Sequence, residues 1–262
     1  MKLAIIGGSL LKQINQLEKI SEEQIFTPYG EPSDHFITGE IEGQEIVYLN
    51  RHAQAHHIAP HQINYKANMF VLKILDVTHV IAVTAVGGIT ENMSPMKWVV
   101  PDQIIDYTHG RNQTYADTKD KEVRHIDFSY PFDEALSDRI KQAMQSCSYE
   151  YEEKATYGVT QGPRLETIAE IKRMQRDGCD IVGMTAMPEA ALARELDMDY
   201  ATMSLVVNWA AGVGPIGPVS NSSEGTNKKA EVISMDEIRG YIEQGNISAE
   251  KIIRQLVSQL TE

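Results

Sequence analysis

Short apolar segments alternate with longer amphipathic segments along the whole chain, and this alternation limits the fold more than any other feature. The apolar, β-branched segments predict buried strands at 2–7, 45–50, 79–86, 180–184 and 200–207. Apolar residues recur at helical spacing in 61–75, 130–145, 165–177 and 188–197. Such alternation predicts an α/β fold with a parallel or mixed sheet and helices on both faces. The length of 262 residues fits one domain spanning 1–262.

The predicted strands end on polar or glycine-rich residues, and sheets of this kind bind ligands at the carboxyl ends of their strands. These ends are Gly7-Gly8-Ser9, Arg51-His52, Thr84-Ala85, Thr185 and Asn208. We therefore expect the five segments to line one site.

Two of these segments suit an anion. A Gly-Gly-Ser turn can present backbone N–H groups and the Ser9 hydroxyl. Arg51 offers a planar fork that fits two phosphate oxygens, and His52 can donate a further bond. The turn lacks the lysine of a P-loop and the spacing of a dinucleotide site, which argues against ATP and NAD.

No metal is expected, because His52 and His56 have zinc-like spacing without an HExxH glutamate. We interpret His56 and His57 as surface residues.

Two carboxylates have more than one interpretation. Pro188 and Glu189 carry helix-start signals, and Glu189 from that position can equally bind a sugar hydroxyl. Glu166 lies beside a Gly-Pro turn, where a first-turn glutamate is commonly only a partner of the helix dipole.

The composition excludes several classes of partner. The formal net charge of -13 argues against nucleic acid. No stretch approaches the roughly 18 apolar residues of a membrane span. The two cysteines lack any CxxC spacing, so we expect a reduced, cytoplasmic protein.

Two segments near the carboxyl terminus have distinct compositions. Residues 212–231 are rich in Gly, Pro, Ser and Asn and predict a mobile loop, either a plain surface insertion or a lid. Residues 248–260 predict a closing amphipathic helix capped by Ser248.

The order of the motifs closely resembles that of the purine nucleoside phosphorylase and methylthioadenosine phosphorylase family. The resemblance is carried by IIGGS, RH, HQINYKAN, TAVGGI, QGPRLET, VGMTAMPEAALARE and VVN, and it covers nearly the whole chain. It implies a single α/β domain with a mixed, partly barrel-like sheet flanked by helices, assembled as a homotrimer. It also implies phosphorolysis of a purine nucleoside, with inorganic phosphate as co-substrate and no cofactor.

Position by position, the resemblance assigns a phosphate site to Ser9, Arg51, His52, Thr84, Ala85 and Thr185. Met184 matches the residue beneath the ribose. Ser9 and Leu10 replace the usual Thr-Gly of the family, and Ala53 replaces the Gly that usually follows Arg-His.

The base site predicts the substrate. Methylthioadenosine phosphorylases carry an Asp-x-Asp pair where this chain has Asn208, Trp209 and Ala210, and Trp209 is an unusual residue at the pocket rim. An Asn amide can donate to a 6-oxo group and accept from a protonated N7, whereas an ionised Asp cannot donate. Glu166 matches the carboxylate that holds the purine N1–H, which adenine lacks. The predicted base is a 6-oxopurine, hypoxanthine first, and the predicted catalytic groups are Asn208, Arg51 and His52.

The residues that face the 5′ group of the nucleoside distinguish inosine from its methylthio analogue. Where the family often has a His for the 5′-hydroxyl, this chain has Met235 and Ile238, which suit a methylthio group. His125 matches a residue contributed across the subunit interface. These features resemble the S-methyl-5′-thioinosine phosphorylase subgroup. The alternatives are a general 6-oxopurine nucleoside phosphorylase, a methylthioadenosine phosphorylase, and a non-catalytic protein that binds nucleoside or phosphate.

Overall fold

The structure is a computed structural model that describes residues 1–116, 123–214 and 233–260. Most of the predicted loop at 212–231 lies outside the described residues. The strands of the described part are β1 Leu3–Gly7, β2 Glu18–Glu23, β3 Phe36–Ile41, β4 Gln44–Asn50, β5 His79–Gly88, β6 Trp98–Val99, β7 Gln103–Asp106, β8 Tyr151–Glu152, β9 Thr156–Val159, β10 Ile181–Gly183 and β11 Asp199–Trp209. The α-helices are α1 Tyr65–Ile74, α2 Glu134–Ser146, α3 Ile168–Arg176, α4 Ala186–Glu195 and α5 Met235–Ser258.

All these strands belong to one mixed sheet that branches at β5. One path runs β2-β3-β4-β1-β5-β10-β9-β7, while β11 pairs with both β5 and β6, and β8 pairs with β6. β5 is parallel to β1 and β11, and its last residues are antiparallel to β10. The expected mixed sheet is confirmed, and it also contains short strands that the sequence did not predict.

Both faces of the sheet are buried, which explains why its central strands are apolar without a polar alternation. In β1, Leu3 and Ile5 belong to one core cluster, while Ala4 and Ile6 belong to the other. Helices α1 and α4 supply side chains to the cluster that contains Ala4 and Ile6. Helices α2 and α5 supply side chains to the cluster that contains Leu3 and Ile5. The prediction of helices on both faces is therefore confirmed.

The carboxyl-terminal helix begins earlier than predicted. α5 starts at Met235 with Ser234 as its N-cap, and Ser248 lies inside it, where its hydroxyl donates to the Gly245 carbonyl. Gly245 reads as a helix breaker in the sequence, but a Cβ there would lie 2.2 Å from a methyl group of Leu205. The glycine therefore allows the helix to pack closely on β11, and this tertiary contact outweighs its poor helix propensity.

Candidate active site

A cavity of about 450 Å³ opens where β1, β4, β5 and β11 end. β10 runs back along the end of β5 and adds the residues that follow it. The structure thus brings the five predicted strand-end segments together. Predicted site residues on the wall are Ser9, Arg51, His52, Thr84, Ala85, Glu166, Met184, Thr185, Asn208, Met235 and Ile238.

The deepest charged group of the wall is Arg51, which is 1% exposed and paired with Glu189. Its Nε and Nη2 each donate to one oxygen of that carboxylate at 2.8 Å, and Tyr200 donates to Glu189 Oε2 at 2.9 Å. Burial opposes the charge of Arg51, but the attraction of Glu189 outweighs it and raises the pKa of Arg51 further above its usual value. Arg51 is therefore a permanent cation that a carboxylate already neutralises.

This pairing changes the role predicted for Arg51. The fork that was to face two phosphate oxygens faces Glu189 instead, and Nη1 donates to the Gly7 carbonyl at 3.3 Å. One N–H of Nη1 and one of Nη2 are left for a ligand. A Cβ at Gly8 would lie 3.0 Å from Arg51 Nη1 and 3.6 Å from His52 Nε2, so this glycine leaves room for a ligand beside both groups. Glu189 is a fully buried partner of Arg51, and the structure does not place it on the cavity wall for a sugar hydroxyl.

His52 is held in one tautomer. Its Nδ1 lies 2.8 Å from the Ile58 carbonyl oxygen, which can only accept, so Nδ1 carries the proton. The pKa of His52 is lowered to about 4, chiefly by burial; the bond to Ile58 opposes this shift, and the charge of Arg51 adds to it. At neutral pH Nε2 is therefore an acceptor. In this neutral form Nε2 suits a protonated phosphate oxygen, whereas donation from Nε2 requires the protonated ring, so the predicted donor role stays a prediction.

The mouth of the cavity carries two histidines that we had interpreted as ordinary surface residues. His56 and His57 are exposed, yet both line the cavity. His56 Nε2 lies 3.2 Å from Ser9 Oγ, and its ring is centred 4.7 Å from that of His52. Burial lowers the pKa of His56 as well. The sequence signal for the contact between His52 and His56 was their spacing of four residues.

Hydroxyl groups lie on and directly behind another part of the wall. Thr84 Oγ1 lies 2.8 Å from Ser204 Oγ, and both residues are buried. The neighbouring Tyr157 hydroxyl adjoins Thr84 and Thr185, and within the described part of the chain it makes no hydrogen bond of normal geometry. Burial raises the pKa of Tyr157 to about 12, so the phenol stays protonated. Ser204 and Tyr157 carry no motif and were not predicted.

Glu166 supplies a carboxylate on the other side of the cavity. α3 begins only at Ile168, and its N-cap Thr167 forms a capping box with Glu170. Glu166 therefore precedes the helix and is not the first-turn dipole partner considered above. Its Oε1 accepts from the Thr160 hydroxyl at 2.6 Å, which leaves Oε2 available to a ligand.

A β-bulge aims Asn208 into the cavity. The register between β11 and β5 shifts after Val206, so Val207 is an extra residue. Adjacent strand residues normally point to opposite faces, but here both Val207 and Asn208 line the cavity. Asn208 Nδ2 donates to the Trp209 carbonyl at 2.7 Å, which leaves one N–H and the amide oxygen for a ligand.

The start of α5 forms an apolar wall. Met235, Ile238 and Ile242 all line the cavity, and their spacing places them on one face of the helix. Ile242 was not predicted.

Three predicted residues lie off the wall formed by the described residues. Ala210 is buried in a small apolar cluster, and its N–H donates to the carbonyl of Gly88. It follows the last residue of β11 and is not among the described residues that line the cavity. Trp209 lies against Gly214. His125 is exposed, and its predicted role across a subunit interface stays a prediction.

Residues 1–116, 123–214 and 233–260 contain no group of three or more His, Cys, Asp or Glu side chains that could hold a metal ion. No helix within this part of the chain is long and apolar enough to cross a bilayer.

Comparisons with known proteins identify the family of the chain. A profile of the Phosphorylase superfamily matches residues 2–254. The chain is 41% identical over 243 residues to the probable S-methyl-5′-thioinosine phosphorylase of Xanthomonas campestris pv. campestris, covering 93% of this chain and 97% of that protein. It is also 41% identical over 219 residues to the probable 6-oxopurine nucleoside phosphorylase of Thermococcus kodakarensis, covering 82% of this chain and 81% of that protein.

The fold has a solved counterpart. The methylthioadenosine phosphorylase from Schistosoma mansoni in complex with adenine is similar with a TM-score of 0.90 at 28% sequence identity. The match covers 100% of this chain and 92% of that one.

Proposed function

Because the chain belongs to the phosphorylase superfamily, we propose that it catalyses the phosphorolysis of S-methyl-5′-thioinosine to hypoxanthine and 5-methylthioribose 1-phosphate. Inorganic phosphate is the second substrate, and no cofactor takes part. A phosphate oxygen forms the new bond to C1′ as the bond from C1′ to N9 breaks, and the electron pair of that bond leaves with the purine.

The observation that carries the proposal is that Asn208 and Glu166 line the same cavity. The free N–H of Asn208 suits the purine O6, and its oxygen suits a protonated N7. These contacts would stabilise the negative charge that develops on the leaving base. The free Oε2 of Glu166 would accept from N1–H of hypoxanthine. Adenine would present a lone pair to the same carboxylate, and a mispaired buried polar group costs about 1–3 kcal/mol.

The apolar residues at the start of α5 support the assignment of a methylthio group at the 5′ position of the substrate. Met235, Ile238 and Ile242 offer this wall only thioether and hydrocarbon surface. A 5′-hydroxyl against such a surface would lose its hydrogen bonds to water without replacement.

The opposite end of the cavity suits phosphate. Its donors are the two free N–H groups of Arg51 and the hydroxyls of Ser9, Thr84 and Thr185, while His52 Nε2 would accept from a protonated phosphate oxygen. Because Glu189 neutralises Arg51, several neutral donors would share the phosphate charge with that arginine.

The proposal is tested by comparing kcat/KM for phosphate-dependent base release from methylthioinosine, inosine and methylthioadenosine. Parallel reactions without phosphate measure any hydrolysis. We expect methylthioinosine to be preferred and turnover to require phosphate. A preference for methylthioadenosine would contradict the roles of Asn208 and Glu166. Nucleoside binding without turnover would indicate a non-catalytic binding protein.

A general 6-oxopurine nucleoside phosphorylase is the second candidate. Met235 is 53% exposed, so the described residues leave the 5′ end of the cavity open to solvent, where a hydroxyl keeps its hydration. Inosine cleaved as efficiently as methylthioinosine in the same assay would favour this candidate.

The proposal includes a homotrimer in which His125 contacts a neighbouring subunit. The exposure of Val123, His125 and Tyr130 supports an interface along this segment. Sedimentation equilibrium would contradict it by giving the monomer mass at assay concentrations.

A further inference from the structure

Ser204 contacts the proposed phosphate site without lining it. It lies in β11 directly opposite Thr84 in β5. Its side chain is fully buried, and its Oγ lies 2.8 Å from Thr84 Oγ1. Thr84 is on the cavity wall and Ser204 is behind it.

Either hydroxyl can donate in this pair, and burial decides between the two directions. Each hydroxyl has a single hydrogen. If Thr84 donated, the hydrogen of Ser204 would be buried with no other acceptor among the described residues. Such an unsatisfied group is costly. If Ser204 donates, the hydrogen of Thr84 is not used in this pair, and Thr84 lines the cavity. The adjoining Tyr157 hydroxyl makes no hydrogen bond of normal geometry with Thr84, so it leaves this hydrogen to a ligand.

From this we propose that Ser204 is a positioning residue for phosphate, because its hydroxyl donates to Thr84 Oγ1 and so directs the Thr84 hydrogen to the anion. The inference rests on the proposed function, which places phosphate beside Thr84. A hydroxyl that accepts one bond is also a stronger donor in the next, so the Ser204 bond strengthens the bond from Thr84 to phosphate.

Thr202 shows the contrast two residues earlier in the same strand. Its hydroxyl is equally buried, and it donates to the Ala82 carbonyl at 2.9 Å. That bond ends in the backbone and leaves no hydrogen for the cavity. Thr202 is therefore a matched control for a buried hydroxyl that has no effect on phosphate.

The experiment measures inorganic phosphate binding by isothermal titration calorimetry and the KM values of phosphate and nucleoside. Ser204→Ala is compared with Thr202→Val and with Thr84→Val. We expect Ser204→Ala to weaken phosphate binding and raise the phosphate KM by roughly three- to tenfold, with the nucleoside KM unchanged. Thr202→Val should leave both KM values unchanged. In the Thr84→Val background, Ser204→Ala should have no further effect on phosphate.

The outcomes separate this inference from the proposed function. Normal phosphate binding in Ser204→Ala, or an equal loss in Thr202→Val, would overturn the positioning role. Normal phosphate binding in Thr84→Val would overturn both the positioning role and the assigned phosphate site. A different preferred nucleoside would overturn only the proposed substrate. Should Ser204→Ala fold poorly, Ser204→Cys keeps the volume with a weaker donor, and its phosphate affinity should then be intermediate.

Discussion

The two ends of the cavity are built in different ways. At the end that we propose for phosphate (the phosphate end), Arg51, His52 and Thr84 are at most 6% exposed, and each is bonded to a distant part of the chain or to the backbone. At the other end, Asn208 is half-buried and Met235 is 53% exposed. The contacts that every substrate of such an enzyme would share are thus fixed in the core. The residues proposed to select the base and the 5′ group lie at the margin of the core, where they can change without unfolding the protein.

Removing the arginine of the buried pair should have the largest effect. Arg51→Ala leaves the Glu189 carboxylate buried without its cation, and we expect a loss of about 3–5 kcal/mol in the free energy of unfolding. Arg164 also donates two bonds to one carboxylate, from Nη1 and Nη2 to Glu170 at 2.8 and 2.7 Å, but Arg164 is exposed. Arg164→Ala should therefore cost less than about 1 kcal/mol.

Urea unfolding of both variants measures this difference. Phosphate KM, measured on the folded fraction, should rise steeply for Arg51→Ala and stay normal for Arg164→Ala. Equal losses of stability would show that the buried end is no more interdependent than the surface, and the contrast between the two ends would then fail.

Acid should weaken the phosphate end through His52. The pKa of His52 falls from the ordinary 6.5 of the unfolded chain to about 4 in the fold. Its contribution to stability is therefore complete above 6.5 and is lost as the pH falls toward 4, by about 3 kcal/mol in total. In His52→Asn the amide can still donate to the Ile58 carbonyl, but it does not titrate.

The free energy of unfolding, measured between pH 7 and pH 4, should fall less steeply for His52→Asn than for the unsubstituted protein. Parallel curves would mean that the pKa of His52 is the same in the folded and the unfolded chain. The ring would then titrate near 6.5, and its protonated Nε2 could donate to phosphate as first predicted.

At the selective end, Asn208→Asp should change preference without changing stability. The ionised carboxylate cannot donate to O6 of hypoxanthine but can accept from the 6-amino group of adenine. We expect the ratio of kcat/KM for methylthioinosine to that for methylthioadenosine to fall by roughly ten- to a hundredfold. The free energy of unfolding should change by less than about 0.5 kcal/mol.

Competition between the two nucleosides in one reaction measures this ratio directly. Trp209→Phe is the matched control, because Trp209 lies beside Asn208 but off the cavity wall. An unchanged ratio in Asn208→Asp would remove Asn208 from base selection.

The sequence predicted the meeting of the five strand-end segments because this depends only on strand order and direction. It could not predict the partner of Arg51. Glu189 is 138 positions away and carries an ordinary helix-start signal, so only the tertiary fold, in which α4 packs against β11, reveals the pair. The hydroxyls of Ser204 and Tyr157 could not be predicted for the same reason, since a single buried hydroxyl residue in an apolar strand forms no sequence pattern.

Departures from the family pattern are also explained by contacts that the sequence does not show. Leu10 replaces a usual glycine, and its methyl group lies 2.9 Å from where a Cβ of Gly245 would stand. The larger residue at one position is thus accommodated by the absence of a side chain at the other. Ala53 replaces another usual glycine, and its φ of 61° lies in the left-handed region.

The smallest expected effect concerns this Ala53. A non-glycine residue in the left-handed region costs roughly 1–2 kcal/mol. Replacing it by glycine removes this cost, but the greater entropy of glycine in the unfolded chain cancels part of the gain in stability. Ala53→Gly should therefore stabilise the protein by about 0.5–1 kcal/mol. Ala55 lies two residues on, outside the left-handed set, and Ala55→Gly should destabilise by about 0.5 kcal/mol. Thermal unfolding of the two variants should shift in opposite directions. A decrease for both would mean that the turn holding His52 and His56 bears no strain, and that alanine there has no energetic cost.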